Sequence, residues 1–231
     1  HVIHVFKTDN PISKAEIVFV LDTNQLGMLG PMEEAVRNLS VPVVFIDHHV
    51  PDMDKVEEHI IDERFGSTGE LVYTLLRRQR ADIDAEMALA LYVAIVTDTG
   101  SFRYKRTTAR SHEIAGELLQ KGVLPEEVFQ QIYGQNSLAK TRLLGHLLEN
   151  IRTAYGEQIV WVVVTQEIRK RFKATVEDTE AYVNQLTLIG RVRIAMLFRE
   201  EEDGFVKVSI RGNGAVPVFG IAKKFGGGGH R

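Results

Sequence analysis

Three consecutive residues, Asp47, His48 and His49, close the apolar run Val41-Pro42-Val43-Val44-Phe45-Ile46. Two more aspartates sit just past apolar segments: Asp22 after Ile17-Val18-Phe19-Val20-Leu21, and Asp98 after a mostly apolar stretch over residues 85–96. A carboxylate at the edge of a buried segment is costly unless it is paired, hydrogen-bonded or metal-bound. Taken singly, each reads equally well as a helix cap or turn residue. Taken together with two imidazoles, they read as a site. Carboxylates and imidazoles without sulfur favour Mn²⁺ or Mg²⁺ over structural zinc. Bridging carboxylates can hold two such ions about 4 Å apart, a pair that activates water and clamps the oxygens of a phosphoryl group. Adjacent residues cannot both face the same way, so His48 and His49 are expected to do different jobs. One would bind metal, while the other meets substrate or supports the site from behind.

Two further stretches suit anions. Gly100-Ser101-Phe102-Arg103-Tyr104-Lys105-Arg106-Thr107-Thr108 follows Asp98 and combines glycine freedom, hydroxyls and three cations, a pattern for phosphate binding or simply a solvated basic loop. Gly226, Gly227, Gly228 and Gly229 precede His230 and Arg231. Without Cβ atoms the backbone N–H groups there can approach an anion closely, though the same composition also suits a flexible linker. The preceding residues 218–225 read as a short helix. Its C-terminal end does not attract anions, so any anion affinity must come from the glycine loop, His230 and Arg231. Arg77, Arg78 and Arg80 read as a solvated helix face. His59, His112 and His146 stand alone, and Trp161 reads as core.

The elements that would position these groups follow from periodicity. Short, β-branched apolar runs at residues 17–21 and 43–46 read as strands buried on both faces of a parallel sheet. A crossover helix over residues 31–39, with Pro31 at its first position, would join them right-handedly. In open α/β sheets ligands bind beyond the carboxyl ends of the strands, where Asp22 and Asp47 fall. Helices are expected over residues 70–80, over 85–96 with Asp82 as N-cap, over 111–121, from Pro125 onward, and over 137–152. After residue 152 the pattern changes to strands at 159–164, 193–198 and 205–210, a helix at 176–188, and a hairpin through the polar turn 200–204. The expected fold is therefore α/β: a parallel-sheet domain over residues 1–136, a helical connector over 137–152, and a smaller α+β domain over 153–231. At 231 residues, 44% apolar and 26% charged, the chain can bury a core in each domain and is not expected to be disordered. A net charge of −3 excludes a basic scaffold for long nucleic acid but not a local basic pocket. There is no cysteine, so disulfides and thiolate metal sites are excluded, which fits a reducing compartment such as the cytoplasm. No stretch suggests a membrane span or signal peptide. Both ends are expected to be cut points, since the chain starts at His1 without Met and stops in the glycine run.

Val20-Leu21-Asp22-Thr23, Ile46-Asp47-His48-His49, the stretch from Val96 to Tyr104, and Phe225 to Arg231 occur in this order. In this the chain resembles the DHH phosphoesterases that carry a DHH-associated C-terminal domain, and among them the bacterial nanoRNase and pAp phosphatase group. The resemblance implies that Asp22 and Asp98 bridge two Mn²⁺ ions, with Mg²⁺ as an alternative, and that His48 binds one ion. It implies that Asp47 supports the site from behind and that His49 meets the substrate phosphate. It further implies that Arg103, Arg211, Gly227, Gly228, Gly229 and His230 bind substrate. One departure stands out. The family opens with a His-x-x-x-Asp-x-Asp motif that supplies three more ligands, and none is found here, with His1-Val2 standing where its stump would be. Segments are therefore expected to be missing before His1 and between Pro11 and Ile17.

The expected activity is Mn²⁺-dependent cleavage of short RNA oligonucleotides to 5′-mononucleotides, together with dephosphorylation of pAp. A cyclic-dinucleotide phosphodiesterase or a pyrophosphatase of the same superfamily would use the same chemistry. A non-catalytic nucleotide-binding module is the reading if the first motif is truly absent. No membrane partner is expected, and a homodimer is compatible with the sequence.

Overall fold

The structure is a computed structural model that describes residues 15–49, 58–213 and 216–227. The chain divides into two compact units, His1–Gln131 and Ile132–Arg231. The opening-motif expectation, the Pro11 side of its companion, and the roles of Gly228, Gly229, His230 and Arg231 fall outside the described residues.

Among the described residues the first unit has three parallel strands in the order β1 (Val18–Leu21), β2 (Val43–Asp47), β3 (Glu58–Ile61). Val18 pairs with Val43 and Leu21 with Ile46, so Asp22 and Asp47 leave the sheet at the same end. Only β2, the central strand, approaches the two-sided burial expected: Phe45 and Ile46 are buried. Among the described residues β1 lies at one side of the sheet, and it leaves Phe19 and Leu21 more than half exposed. The crossover is shorter than expected. A 3₁₀ segment over Leu26–Met32 contains Pro31 and kinks at Gly30, and α1 covers only Glu33–Arg37. Gly30 has φ 54°, a left-handed conformation that a glycine adopts at no steric cost.

α2 (Thr68–Arg78) starts two residues earlier than expected because the Ser67 hydroxyl accepts from the Glu70 N–H and caps it. α3 (Ala85–Asp98) is capped by Asp84 rather than Asp82: the Asp84 carboxylate accepts from the Met87 N–H at 2.8 Å. α4 (Ala109–Leu119) and α5 (Pro125–Tyr133) follow. Ala88, Ile95 and Ile114 are fully buried, so α3 and α4 supply the core beside the sheet.

The second unit carries a four-stranded sheet in the order β4 (Arg152–Ala154), β5 (Ile159–Val164), β6 (Ile194–Glu200), β7 (Val206–Gly212). β5 and β6 run parallel, and β6 and β7 form the expected antiparallel hairpin. One face of this sheet, with Val160, Val162, Val164, Ala195 and Leu197, is closed by α6 (Leu138–Glu149), α7 (Gln166–Phe172) and α8 (Tyr182–Leu186). α6, read from sequence as a connector, buries Leu143 and Leu147 in this core. The helix expected over 176–188 is broken: a 3₁₀ turn at Glu177–Thr179 is separated from α8 by Ala181 at φ 65°. α9 (Phe219–Lys224) ends the described part.

Tyr182 gives this unit a pH dependence. Its hydroxyl donates to the Lys140 carbonyl at 2.7 Å. Burial, aided by the Asp178 carboxylate, pushes its pKa up to about 12. The folded form therefore holds the proton more tightly than the unfolded chain, whose tyrosine titrates near its ordinary value of about 10. The stabilisation is complete below about pH 10 and is lost as pH rises toward 12. Thermal melts of the wild type across this range should show that loss. Tyr182→Phe should lower stability by about 1 kcal/mol at pH 8 and flatten the alkaline decline.

Candidate metal centre

Asp22 follows β1 with φ 67°, a conformation uncommon for a residue with a Cβ and frequent at functional sites. Its N–H donates to the Ile46 carbonyl at 3.0 Å, which extends the β1–β2 ladder by one step and fixes the Asp22 backbone beside Asp47. The Asp47 carboxylate is fully buried. Its Oδ1 accepts from the His48 N–H at 2.8 Å and from His49 Nδ1 at 2.7 Å, and its Oδ2 accepts from Asn24 Nδ2 at 2.7 Å. Three donors thus engage both oxygens and lock the turn that carries both histidines.

His48 is buried. Its Nδ1 lies 3.3 Å from the Phe65 carbonyl oxygen. A carbonyl only accepts, so Nδ1 carries the hydrogen, and in the neutral ring Nε2 presents its lone pair. That Nε2 has no hydrogen-bond partner. It points between two carboxylates, at 3.8 Å from Asp22 Oδ1 and 3.5 Å from Asp98 Oδ2. Three groups of acceptor character therefore converge, and His48 Nε2 receives no donor. A cation satisfies that arrangement, and the oxygen and nitrogen donors fit a divalent one. Ligand atoms of Asp22, Asp47, His48 and His49 all lie within 4.8 Å of one another. Asp47 is the member least able to take a cation, because its oxygens are already engaged.

Asp98 arrives from the end of α3. Burial, and next the Asp22 carboxylate, raise its pKa above the ordinary value; His48, His49 and the Thr68 backbone N–H partly oppose this. The expected difference between the two histidines is visible in their partners. His48 leans on the Phe65 carbonyl and His49 on Asp47, with ring centroids 4.3 Å apart.

Residues not singled out from sequence complete the site. The Thr68 hydroxyl donates to Asp22 Oδ1 at 2.8 Å, while its N–H serves Asp98, so the first turn of α2 faces both carboxylates. The polarity of a helix N-terminus favours negative charge there. Asn24 orients Asp47, and Arg106 Nη1 donates to the His48 carbonyl at 3.0 Å. Arg106 therefore braces the histidine turn, whereas its sequence context leaves the loop open between phosphate binding and a solvated basic loop. The Ser67-capped helix start was the one available signal for Thr68. Asn24 and Arg106 act through contacts 23 and 58 residues distant in sequence, which spacing cannot reveal.

The loop after Asp98 turns through Gly100, Ser101 and Phe102, all at φ between 55° and 63°. A Cβ on Gly100 would overlap the Tyr104 ring. Arg103 is exposed, and its Nε donates to the Gly100 carbonyl at 2.7 Å. His112, read as solitary, stacks on Phe102 at 4.7 Å. In the second unit Arg211 is exposed near the end of β7, paired across the sheet with Ala195. Gly226 has φ 74° and the Gly227 N–H donates to the Ala222 carbonyl at 2.9 Å, so the glycine run begins as a tight turn closing α9.

The parallel α/β sheet thus ends in a carboxylate–imidazole cluster with an unpartnered imidazole nitrogen, an arrangement able to hold divalent cations. The chain belongs to the DHH family: residues 3–95 match the DHH family N-terminal domain and residues 156–231 match the DHHA1 domain. It is 30% identical, over 85% of its own length, to the bifunctional oligoribonuclease and PAP phosphatase NrnA of Thermus thermophilus, and spans 60% of that protein. It is 28% identical, over 97% of its length, to the protein of the same name from Bacillus subtilis, and spans 70% of it. The crystal structure of an exopolyphosphatase-related protein from Bacteroides fragilis matches with a TM-score of 0.90 at 30% identity, covering 94% of this chain and 65% of that one. The chain thus spans about three-fifths to seven-tenths of the length of these relatives. No helix among the described residues is long and apolar enough to cross a membrane.

Proposed function

We propose that this chain belongs to a Mn²⁺-dependent phosphoesterase that cuts short RNA oligonucleotides to 5′-mononucleotides and removes a phosphate from pAp. The observation that carries this reading is His48 Nε2, buried, without a hydrogen-bond partner, and set between Asp22 and Asp98. The relatives' names supply the substrate class.

In this reading Asp22, His48 and Asp98 would hold the divalent cations. Bound there, the cations supply Lewis-acid polarisation of the phosphoryl oxygens and lower the pKa of a water. Phe65 holds the His48 ring in the tautomer that keeps its lone pair on Nε2. Asp47 and Asn24 hold the turn so that His49 faces the phosphate. Arg103 orients substrate in the first unit, while Arg211, Gly227, Gly228, Gly229 and His230 bind it in the second. Hydrolysis adds the elements of water across a P–O bond, leaving a 5′-nucleotide from RNA, and AMP with inorganic phosphate from pAp. The division of labour is a catalytic domain over residues 1–136, a helical connector over 137–152 and a substrate domain over 153–231. The compartment is the cytoplasm and a homodimer is compatible.

The test is a substrate panel on the intact protein with Mn²⁺. A diadenylate and pAp should both yield AMP. Failure to cut either would overturn the proposal. Preference for a cyclic dinucleotide or for pyrophosphate would replace it with the corresponding member of the superfamily.

A further inference from the structure

The bond that orients His48 continues one step further back. Its Nδ1 meets the Phe65 carbonyl, and the other end of that same peptide unit is the Gly66 N–H, which donates to Glu70 Oε2 at 3.3 Å. A carboxylate, a peptide and an imidazole thus form one line that ends at the unpartnered Nε2. Glu70 stands in the first turn of α2 and is 1% exposed. Its Oε1 has no hydrogen-bond partner. Ser67-x-x-Glu70 has the spacing of a capping box, in which the acidic side chain returns to the N–H of the capping residue. Here the carboxylate goes instead to the Gly66 N–H, one residue ahead of the cap. A helix cap alone needs no burial, and burying a carboxylate with one oxygen unserved is costly.

The surroundings press this carboxylate against the peptide. A Cβ on Gly66 would fall 2.7 Å from Glu70 Oε1, 3.0 Å from the Arg106 carbonyl oxygen and 3.3 Å from Ser111 Oγ, so glycine lets all three close on it. Arg106 in turn holds the His48 carbonyl through its guanidinium. The Phe65 N–H donates to the Asp62 carbonyl, and the Asp62 N–H to the Asp47 carbonyl, which ties residues 62–66 to the strand that ends in the histidine turn. Hydrogen bonds in a chain polarise one another. A carboxylate that accepts from a peptide N–H pushes electron density toward the carbonyl oxygen of that peptide and makes it a stronger acceptor. A stronger acceptor on Nδ1–H fixes the ring and makes Nε2 a better electron-pair donor, as a carboxylate bonded directly to a metal-binding imidazole does. From this geometry we infer that Glu70 is a positioning residue of the candidate metal centre, acting through the Phe65–Gly66 peptide to hold the His48 ring and strengthen Nε2 as a cation ligand. This rests on the reading of His48 as a metal ligand, and it adds a residue that neither the motifs nor that reading includes.

The experiment uses the full chain with Glu70→Gln, which keeps the size of the side chain and an oxygen for the Gly66 N–H but removes the charge. Calorimetric titration of Mn²⁺ into the metal-free protein should give an affinity about tenfold below wild type, the low end of what losing a ligand's orienting partner costs. The metal-free melting temperature should equal or exceed that of wild type, because a buried charge with an unserved oxygen is gone. A second measurement, the proton resonance of His48 Nδ1–H in EDTA, should move upfield in Glu70→Gln as the bond to Phe65 weakens. Lost stability with unchanged Mn²⁺ affinity would make Glu70 a helix cap only and overturn the inference. An unmoved Nδ1–H resonance would overturn it as well. The two readings fail separately: a wild type that takes up no Mn²⁺ yet shows the resonance shift loses its metal and phosphoesterase assignment only, whereas a protein that cuts RNA and binds Mn²⁺ equally well with Glu70→Gln loses the Glu70 link only.

Discussion

Asp98→Ala is expected to abolish hydrolysis, by about a thousandfold or more, while leaving the protein folded. The two halves of this expectation have one cause. In the metal-free protein the Asp98 carboxylate is partly buried beside Asp22, and both burial and that neighbouring charge raise its pKa. Its ionised form is thus disfavoured in the fold. Because the folded state holds the proton more tightly than the unfolded chain, stability falls as pH rises through the range above an ordinary carboxylate pKa. Removing the carboxylate takes away a repulsion rather than a support. The melting temperature of the metal-free variant at pH 7 should equal or exceed that of wild type, and its decline between pH 4 and 7 should be shallower. A dinucleotide assay alongside thermal melts checks both halves. Turnover that persists near the wild-type rate, or a variant that unfolds, would remove Asp98 from the site.

Replacing Asp47 by asparagine should give the second-largest effect, for a different reason. The side chain keeps its shape but loses an acceptor. Its two oxygens now receive three donors, from the His48 backbone, the His49 ring and Asn24. An amide nitrogen in either position faces a donor. Leaving such a buried group unsatisfied costs roughly 1–3 kcal/mol. The turn that presents both imidazoles would loosen, and loss of an orienting partner of this kind costs about 10–100-fold in metal affinity or activity. Titrating Mn²⁺ into the metal-free variant by calorimetry measures the first quantity directly, and the dinucleotide rate measures the second. Unchanged Mn²⁺ affinity would mean that Asp47 does not position the histidines.

Much of the first unit could be read from one dimension because its determinants are local. The apolar run ending at Asp47 is a strand by length and branching alone, and a crossover to a neighbouring parallel strand follows from chain connectivity. β3 escaped notice because Glu58–Ile61 has only two apolar residues and no alternation. The break at Ala181 escaped because alanine favours helix, yet the chain there bends left-handed to seat Tyr182 and Leu186 in the core.

By itself the amino-acid sequence determined the inventory: which carboxylates and imidazoles stand at the ends of apolar segments, that no thiol is available, and that hard divalent cations suit what remains. Those conclusions depend on residue type and on spacing within single segments. Only the tertiary structure decided which partner each group keeps. It engages Asp47 with three donors, turns the His48 lone pair toward Asp22 and Asp98, aims the first turn of α2 at both carboxylates, and uses Arg106 as a brace. Hydrogen bonds and charge act over a few ångströms in space, whatever the distance along the chain. The protonation of a ring and the pKa of a carboxyl are therefore properties of the folded neighbourhood.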